Sequence, residues 1–294
     1  MTLISLENGR LRAKITQQGG AVHGLWWLDR NLGEVPLLRP TLEDDAHVLQ
    51  TSAYPLVPFG NRLGGNQFTL NQKTYVFSPN HTGQPHYIHG DGWLGQWDVK
   101  EQGLASATLI YRHAGGPYCY EAEQCFELGN DVFTVTLAVI NKGAEPLPFG
   151  LGWHPFFPLT PQTKLQFSAL DYWTEGAGSL PDEMCSVQGD FDFRITRKIP
   201  QRWFNNGFSN WDGDALITWP ESALSIQIEA DPLFRHLFLY QPYEAWSDQS
   251  PFFCFEPMTH QGNAHHLENM GDLKLLKPGE TLRGSVRLLP RKQS

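Results

Sequence analysis

Alternation of apolar and polar residues is the dominant pattern along the chain. In residues 131–140 one face carries Phe133, Val135, Leu137 and Val139, and the other face carries threonine and alanine side chains. Successive side chains of an extended strand point to opposite faces, so this period of two predicts a half-buried β-strand. Residues 119–128 alternate in the same way, and Gly129 with Asn130 is expected to turn the chain between them. The two segments therefore predict a β-hairpin.

The same test predicts strands from one end of the chain to the other. Clear alternation occurs in residues 222–229 and 282–288, and weaker alternation in residues 11–16, 67–77, 104–112, 165–169, 236–240 and 252–255. No segment has the apolar period of an amphipathic helix. Residues 171–190 are expected to form a long loop over one face. We therefore predict an all-β fold, a large antiparallel sandwich or barrel.

Composition is consistent with one folded domain. The chain has 294 residues, of which 18% are charged, 40% hydrophobic and 13% aromatic, a mixture typical of folded proteins and favourable to strands. No linker or low-complexity segment divides it, so residues 1–294 are predicted to form a single domain.

Net charge and cysteine content exclude several classes of function. A net charge of −9 without a basic run argues against nucleic-acid binding. No apolar stretch reaches the roughly 18 residues of a membrane span, and residues 1–7 lack the pattern of a secretory signal. The four cysteines lack metal-ligand spacing. We expect reduced thiols in a cytoplasmic protein with no membrane partner.

Four segments place ionisable residues among aromatic and glycine residues. Arg62 follows Phe59, Gly60 and Asn61, where its guanidinium can hold a hydroxyl or carboxylate, although an isolated arginine is more often a surface residue. His89 lies at the end of a predicted strand, beside Gly90, and is either a ligand-binding or a structural histidine.

The other two segments are more apolar. His154 is held extended by the following proline among aromatic residues, an environment that suits general acid catalysis or a satisfied core histidine. Glu256 ends an apolar run, and a carboxylate is rarely buried without a partner. It is therefore either a functional acid or base, or one half of a buried salt bridge, for example to Arg62.

The sequence lacks the motifs of several other enzyme classes. It has no HExxH, no GxSxG, no Walker loop and no GxGxxG after a strand, and His265 with His266 are adjacent in a polar segment. We therefore expect no metal, nucleotide or redox cofactor.

Together and in this order the segments resemble the aldose 1-epimerase family, also called galactose mutarotases. The residues that carry the resemblance are Gly19–Gly20, Phe59–Gly60–Asn61–Arg62, Gly65, Phe68, Asn80, His89–Gly90, Gly152–Trp153–His154–Pro155 and Glu256–Pro257. They span nearly the whole chain. The resemblance implies the family's antiparallel supersandwich, with a free sugar bound in an open cleft on a concave face.

The resemblance also implies roles for individual residues. Glu256 matches the general base and His154 the general acid, which exchange α and β anomers by opening and closing the sugar ring. Arg62 and His89 match residues that hold the sugar's oxygens. Asp212 matches a sugar-binding aspartate, with Asp214 as an alternative for that position. Trp93, Trp153, Phe156, Phe253 and Phe255 are expected to wall the cleft, because they are close in sequence to these residues.

Three alternative functions remain open from the sequence alone. A hexose-6-phosphate epimerase would need further cationic residues, such as Arg202 or Arg235, in the cleft. A carbohydrate-binding protein without catalysis would not need a matched acid and base. A glycosidase would need a second carboxylate, such as Asp91 or Asp212, at a defined distance from Glu256. The specific aldose and the oligomeric state are not predictable from the sequence.

Overall fold

The protein is described by a computed structural model that covers residues 3–43, 46–247 and 250–293. Its strands in chain order are β1 (Ile4–Asn8), β2 (Leu11–Ile15), β3 (Val22–Asp29), β4 (Gly33–Pro36), β5 (Ala53–Leu56), β6 (Arg62–Leu63), β7 (Gln67–Leu70), β8 (Lys73–Val76), β9 (Tyr87–Ile88), β10 (Asp98–Gln102), β11 (Ser106–Gly115), β12 (Tyr118–Gly129), β13 (Val132–Asn141), β14 (Leu147–Phe149), β15 (Gly152–Pro158), β16 (Lys164–Phe167), β17 (Asp171–Glu175), β18 (Pro181–Ser186), β19 (Arg197–Lys198), β20 (Phe204–Ser209), β21 (Asp214–Trp219), β22 (Leu224–Ala230), β23 (His236–Gln241), β24 (Phe252–Met258), β25 (Lys274–Leu276) and β26 (Thr281–Lys292).

Helical structure in the described residues consists of short 3₁₀ turns. They are Val48–Gln50, Gly64–Asn66, Gly92–Leu94, Ala177–Ser179, Gly189–Phe191, Pro220–Ser222, Tyr243–Trp246, Ala264–His266 and Glu268–Asp272. The all-β prediction is confirmed. None of the helical segments in the described part of the chain has the length and hydrophobicity needed to span a membrane.

Two large antiparallel sheets dominate the fold. An 11-stranded sheet has the order β1-β2-β3-β5-β15-β24-β23-β20-β17-β18, with β4 paired to β3. A nine-stranded sheet has the order β10-β11-β12-β13-β26-β22-β21-β16-β19. One hydrophobic cluster contains side chains from both sheets, so the two sheets form a sandwich with the core between them.

The predicted hairpin forms, with a small change at the turn. Strands β12 and β13 pair antiparallel, and Gly129 pairs with Val132. The turn therefore consists of Asn130 and Asp131, one residue later than predicted. Asp131 has a φ of 56°, a conformation that aspartate tolerates better than most residues.

Two predicted elements were wrong. Residues 171–190 are not one long loop, because β17 and β18 pair as a hairpin at the edge of the 11-stranded sheet. The glycine, alanine, serine and leucine residues at 176–180 form only the connection between them. Residues 67–77 are not one strand but a tight hairpin of β7 and β8. Asn71 and Gln72 have φ values of 50° and 66° and reverse the chain there.

A second apolar cluster lies apart from the sandwich core. Its members come mainly from β5, β15, β23 and β24, together with residues near the 3₁₀ turns at 48–50 and 92–94. Since neighbouring residues of a strand point to opposite faces, these strands contribute alternate side chains to both clusters. The second cluster therefore marks the other face of the 11-stranded sheet, where the candidate site lies.

Candidate active site

Strand alternation separates the candidate catalytic residues from the core. On β24, Phe253 and Phe255 point into the sandwich core, so Glu256, the next residue, points to the opposite face. On β15, Trp153 belongs to the core and His154 points the other way. Phe255 and Trp153 anchor the two strands in the core. This positions the side chains of Glu256 and His154 on the opposite face of the sheet.

The sheet register brings His154 and Glu256 together. Gly152 pairs with Met258 and Phe156 pairs with Cys254, which places His154 opposite Glu256. Their side chains are only 7% and 2% exposed, and His154 Nε2 lies 3.2 Å from Glu256 Oε1. Among the described residues, neither His154 Nδ1 nor Glu256 Oε2 has a hydrogen-bond partner. Unpaired buried polar atoms are uncommon and often mark functional sites.

A cavity of about 460 Å³ opens over this pair. Its lining residues include both members of the pair, two of the predicted sugar-binding residues and a set of aromatic rings, namely His154, Glu256, Arg62, His89, Tyr54, Trp93, Phe156, Trp203, Phe238, Tyr240 and Phe252. A concave, largely apolar space with a few convergent polar groups is typical of a small-molecule site.

His89 is held in one orientation by the backbone of Asn61. The Asn61 amide donates to His89 Nδ1 at 3.1 Å, and the His89 amide donates to the Asn61 carbonyl at 3.0 Å. Both residues have a φ near 60°, as expected where the chain reverses beyond β9. Because Nδ1 accepts, the proton of the neutral ring lies on Nε2. His89 can therefore donate a hydrogen bond to a ligand oxygen.

Arg62 lies at the start of β6 and contributes the guanidinium of the cavity. Its Nε donates to Gln84 Oε1 at 3.3 Å and its Nη1 to the Ser179 carbonyl at 3.4 Å. Within the described residues it forms no ion pair with Glu256, so the alternative of a buried salt bridge between these two residues is not observed. Arg62 is near enough to lower the pKa of Glu256, against the larger opposing effect of burial.

Burial sets the protonation of the pair formed by His154 and Glu256. It raises the pKa of Glu256 well above its ordinary value, because the charged carboxylate is poorly solvated. It lowers the pKa of His154 to about 3, and Arg39 acts in the same direction. Both shifts favour a pair without net charge that holds one proton between Glu256 Oε1 and His154 Nε2.

The buried histidines are expected to make the folding stability depend on pH. Burial lowers the pKa of His89, His154, His236, His260 and His265. Below about pH 6.5 the unfolded chain takes up more protons on these residues than the folded protein does, so stability falls as the pH falls. For His260, whose pKa is lowered to about 4, the loss begins near pH 6.5 and reaches its full size, on the order of 3 kcal/mol, only below about pH 4.

Glu256 has the opposite effect on the free energy of unfolding, because its raised pKa lowers stability as the pH rises. It is one such group against five histidines, so the histidines are expected to determine the direction of the change. Urea unfolding at constant ionic strength should therefore give a smaller free energy of unfolding at pH 5 than at pH 7. Equal or greater stability at pH 5 would contradict this assignment.

Several cavity residues were not found by sequence reasoning. Tyr54 stacks on the His154 ring with centroids 4.5 Å apart. Asn205, from β20, lines the cavity and donates to one oxygen of Glu175, while Trp203 donates to the other. Glu175 thus fixes two side chains of the cavity wall. None of these residues lies in a recognisable motif, and Glu175 falls in the segment predicted to be a loop.

Asp212 does not belong to the cavity. It lies exposed in the turn between β20 and β21, where its carboxylate accepts from the amide of Asp214 at 3.1 Å. Asp214 is also exposed, and its carboxylate accepts from Gln227. Neither is among the lining residues. The structure therefore does not bring Asp212 together with the other predicted sugar-binding residues, because its side chain accepts a hydrogen bond within a turn outside the cavity.

The expected aromatic wall is only partly correct. Trp93 and Phe156 line the cavity, whereas Trp153, Phe253 and Phe255 lie in the sandwich core. Trp153 and Phe255 are direct sequence neighbours of His154 and Glu256, and Phe253 is three positions from Glu256. Side chains at these odd separations face the other side of the sheet.

The fold and site define a β-sandwich protein with a buried histidine and glutamate in one cavity, and the comparisons agree. An aldose 1-epimerase family model matches residues 2–289. The uncharacterised protein YphB of Escherichia coli strain K12 is 40% identical over 291 residues, which cover 98% of each chain.

Solved structures share the whole architecture. The crystal structure of an aldose 1-epimerase candidate from Escherichia coli K12 matches with a TM-score of 0.93 at 39% identity, covering 99% of each chain. The galactose 1-epimerase of Lactobacillus acidophilus NCFM shares the fold, with a TM-score of 0.79 at 18% identity over 99% of this chain and 94% of its own. The chain belongs to the aldose 1-epimerase family, and the resemblance inferred from its motifs is confirmed.

Proposed function

We propose that the protein is an aldose 1-epimerase, which interconverts the α and β anomers of a free aldose. The observation that carries this proposal is the contact of 3.2 Å between His154 and Glu256 in the wall of a cavity. Two buried groups that share one proton can remove a proton from one sugar oxygen while they supply a proton to another.

The proposed reaction conserves protons within the pair. In the reactive form of the pair the shared proton has passed from Glu256 Oε1 to His154 Nε2 across their contact of 3.2 Å. Glu256 then removes the proton of the anomeric hydroxyl, and His154 protonates the ring oxygen as its bond to C1 breaks, which opens the ring to the aldehyde. Rotation about the bond between C1 and C2 presents the other aldehyde face. The ring oxygen then attacks C1, returns its proton to His154, and Glu256 protonates the new anomeric oxygen. Arg62 and His89 donate to other oxygens and hold the sugar in register.

The charges of the cavity favour a neutral sugar over a hexose 6-phosphate. Arg62 is the only arginine or lysine among the lining residues in the described part of the chain. Arg202 instead pairs with Asp190 at 3.0 Å, and Arg235 donates to Asn210. The aromatic rings of the wall suit the apolar faces of a sugar ring.

A glycosidase mechanism lacks its second carboxylate. Glu256 is the only acidic residue among the described residues that line the cavity. Asp91 accepts from the Tyr87 hydroxyl and lies 3.3 Å from His113 Nε2. Since glycosidases need two carboxyl groups on either side of the scissile bond, epimerisation is the better proposal.

Polarimetry with freshly dissolved sugars tests the proposal. The protein should accelerate the approach to equilibrium of α-glucose or α-galactose in proportion to its concentration, and glucose should exceed glucose 6-phosphate in kcat/KM. Tight sugar binding without faster equilibration would favour a binding protein. Release of reducing sugar from an oligosaccharide would favour a glycosidase.

Arg62→Lys should weaken substrate binding. A lysine keeps the charge but loses the planar fork of donors, and hydrogen bonds from charged groups contribute about 1.5 to 3 kcal/mol, so kcat/KM should fall about 10- to 100-fold, mainly through KM. Steady-state kinetics measure this effect. The matched control is Arg112→Lys, which alters an exposed arginine paired with Glu121. A change of KM no larger than in the control would remove Arg62 from the binding site.

The pH dependence of the rate should lack a histidine titration near neutrality. Because the pKa of His154 is lowered to about 3, a second proton joins the pair only in strong acid. Lowering the pH from 7 to 5.5 should therefore leave kcat/KM nearly unchanged, after subtraction of the buffer-catalysed rate. An inflection at the ordinary histidine pKa of 6.5 would contradict the proposed state of the pair. Circular dichroism at each pH controls for unfolding.

A further inference from the structure

Three side chains that can ligate a metal lie close together on the face of the sheet that carries the cavity. The atoms that His154, Cys254 and Glu256 offer to a metal all lie within 4.8 Å of one another, and all three residues are buried. Cys254 and Glu256 are two residues apart on β24, so their side chains share a face. His154 lies opposite Glu256 on the neighbouring strand β15, and Cys254 is diagonal to it.

The donor set matches the preferences of zinc. A histidine nitrogen, a cysteine sulfur and a carboxylate oxygen are its usual protein ligands, and three of them leave a fourth position for water or substrate. Bonds of about 2.0 to 2.3 Å require the most distant ligand atoms to approach each other by about 1 Å, which side-chain rotation can supply. Glu256 Oε2 has no hydrogen-bond partner among the described residues and is therefore available as a ligand.

We propose that His154, Cys254 and Glu256 form a binding site for Zn²⁺ that inhibits the protein reversibly. The ion enters through the cavity, where two of its ligands are lining residues. It displaces the thiol proton of Cys254 and the proton shared by the pair, and both protons pass to solvent. The complex of Zn²⁺ with one thiolate, one carboxylate and a neutral imidazole then carries no net charge, as a buried site requires.

Inhibition follows because the ion occupies both groups of the acid and base pair. A coordinated Glu256 cannot accept the anomeric proton, and a coordinated His154 Nε2 cannot deliver one to the ring oxygen. This part of the inference rests on the proposed function, whereas metal binding itself does not. Sequence spacing did not reveal the cluster, since its members come from two strands separated by about a hundred residues.

Titration of the intact protein with Cd²⁺ and Zn²⁺ tests the site. Cd²⁺ reports a thiolate ligand through its near-ultraviolet charge-transfer absorption, and calorimetry gives the affinity for Zn²⁺. We expect one Cd²⁺ per chain with this absorption. In Cys254→Ala and Cys254→Ser the absorption should disappear and Zn²⁺ should bind at least about 100-fold more weakly, because even outer-shell partners contribute about 10- to 100-fold. The serine variant preserves the side-chain volume if the alanine variant fails to fold.

The matched control is Cys185→Ser, which alters a free thiol on β18 outside the cavity and should keep the absorption. Zn²⁺ should also inhibit anomer exchange in the wild type, reversibly on addition of EDTA, with each variant compared with its own metal-free rate. No absorption in the wild type, or absorption that persists in both Cys254 variants, would overturn the proposal. A Cys254-dependent absorption in a protein without exchange activity would refute the proposed function and support the metal site.

Discussion

Glu256→Gln is expected to lower kcat/KM for anomer exchange by about 10²- to 10⁴-fold, the usual contribution of general acid and base catalysis. The amide has nearly the same shape as the carboxylic acid but cannot accept and return a proton. Polarimetry on an α-aldose measures the loss. The fold should persist, because Glu256 is buried with a raised pKa, and a neutral amide costs no more to bury than a neutral carboxyl group.

The matched control is Glu127→Gln, an exposed glutamate on β12, which should retain the wild-type rate. Thermal unfolding of both variants separates loss of catalysis from loss of structure. If Glu256→Gln is folded and retains more than about a tenth of the activity, Glu256 is not a base of the kind that contributes 10²-fold or more.

His154→Asn is expected to cause a loss of similar size, about 10²- to 10⁴-fold, mainly in kcat. Asparagine cannot carry the proton that the ring oxygen requires when the ring opens. The substitution also removes a ring that packs between Tyr54 and Phe156, with centroids 4.5 Å and 4.8 Å away, so a lower melting temperature is expected together with the slower rate.

The double variant distinguishes catalysis from packing. Groups that act as one unit are strongly non-additive, so His154→Asn combined with Glu256→Gln should be little slower than either single variant. Multiplicative losses would indicate that the two residues act independently. His81→Asn is a suitable control, because His81 also lines the cavity and has no part in the proposed proton transfer.

The fold was largely predictable because strand patterning is local. Alternation in β12 and β13 predicted the hairpin and its buried face, and only the turn was displaced by one residue. The β17 and β18 hairpin was missed, because much of β18 is exposed and its polar sequence lacks the apolar period on which the prediction depends. Edge strands of this kind are specified by pairing with their neighbours and less by their own sequence.

The site was only partly predictable. Each of Arg62, His89, His154 and Glu256 lies in a distinctive segment, and all four line one cavity. Asn205 and Glu175 lie far from those segments, and only the order of strands in the sheet brings them to the cavity. The prediction that Phe253 and Phe255 line the cavity relied on their closeness to Glu256 in the sequence. It was wrong, because side chains one or three positions from Glu256 on a strand point to the opposite face.

Exchange NMR on equilibrated aldoses tests the central claim most directly, since it detects anomer interconversion without any coupled enzyme. Wild-type protein at catalytic concentration should produce exchange cross-peaks between the α and β anomeric protons of at least one neutral aldose in a panel that includes glucose and galactose. Glu256→Gln at the same concentration should leave the spectrum like that of buffer alone. No acceleration for any aldose in the panel, or equal acceleration by the variant, would contradict the claim that the buried pair of His154 and Glu256 catalyses anomer exchange.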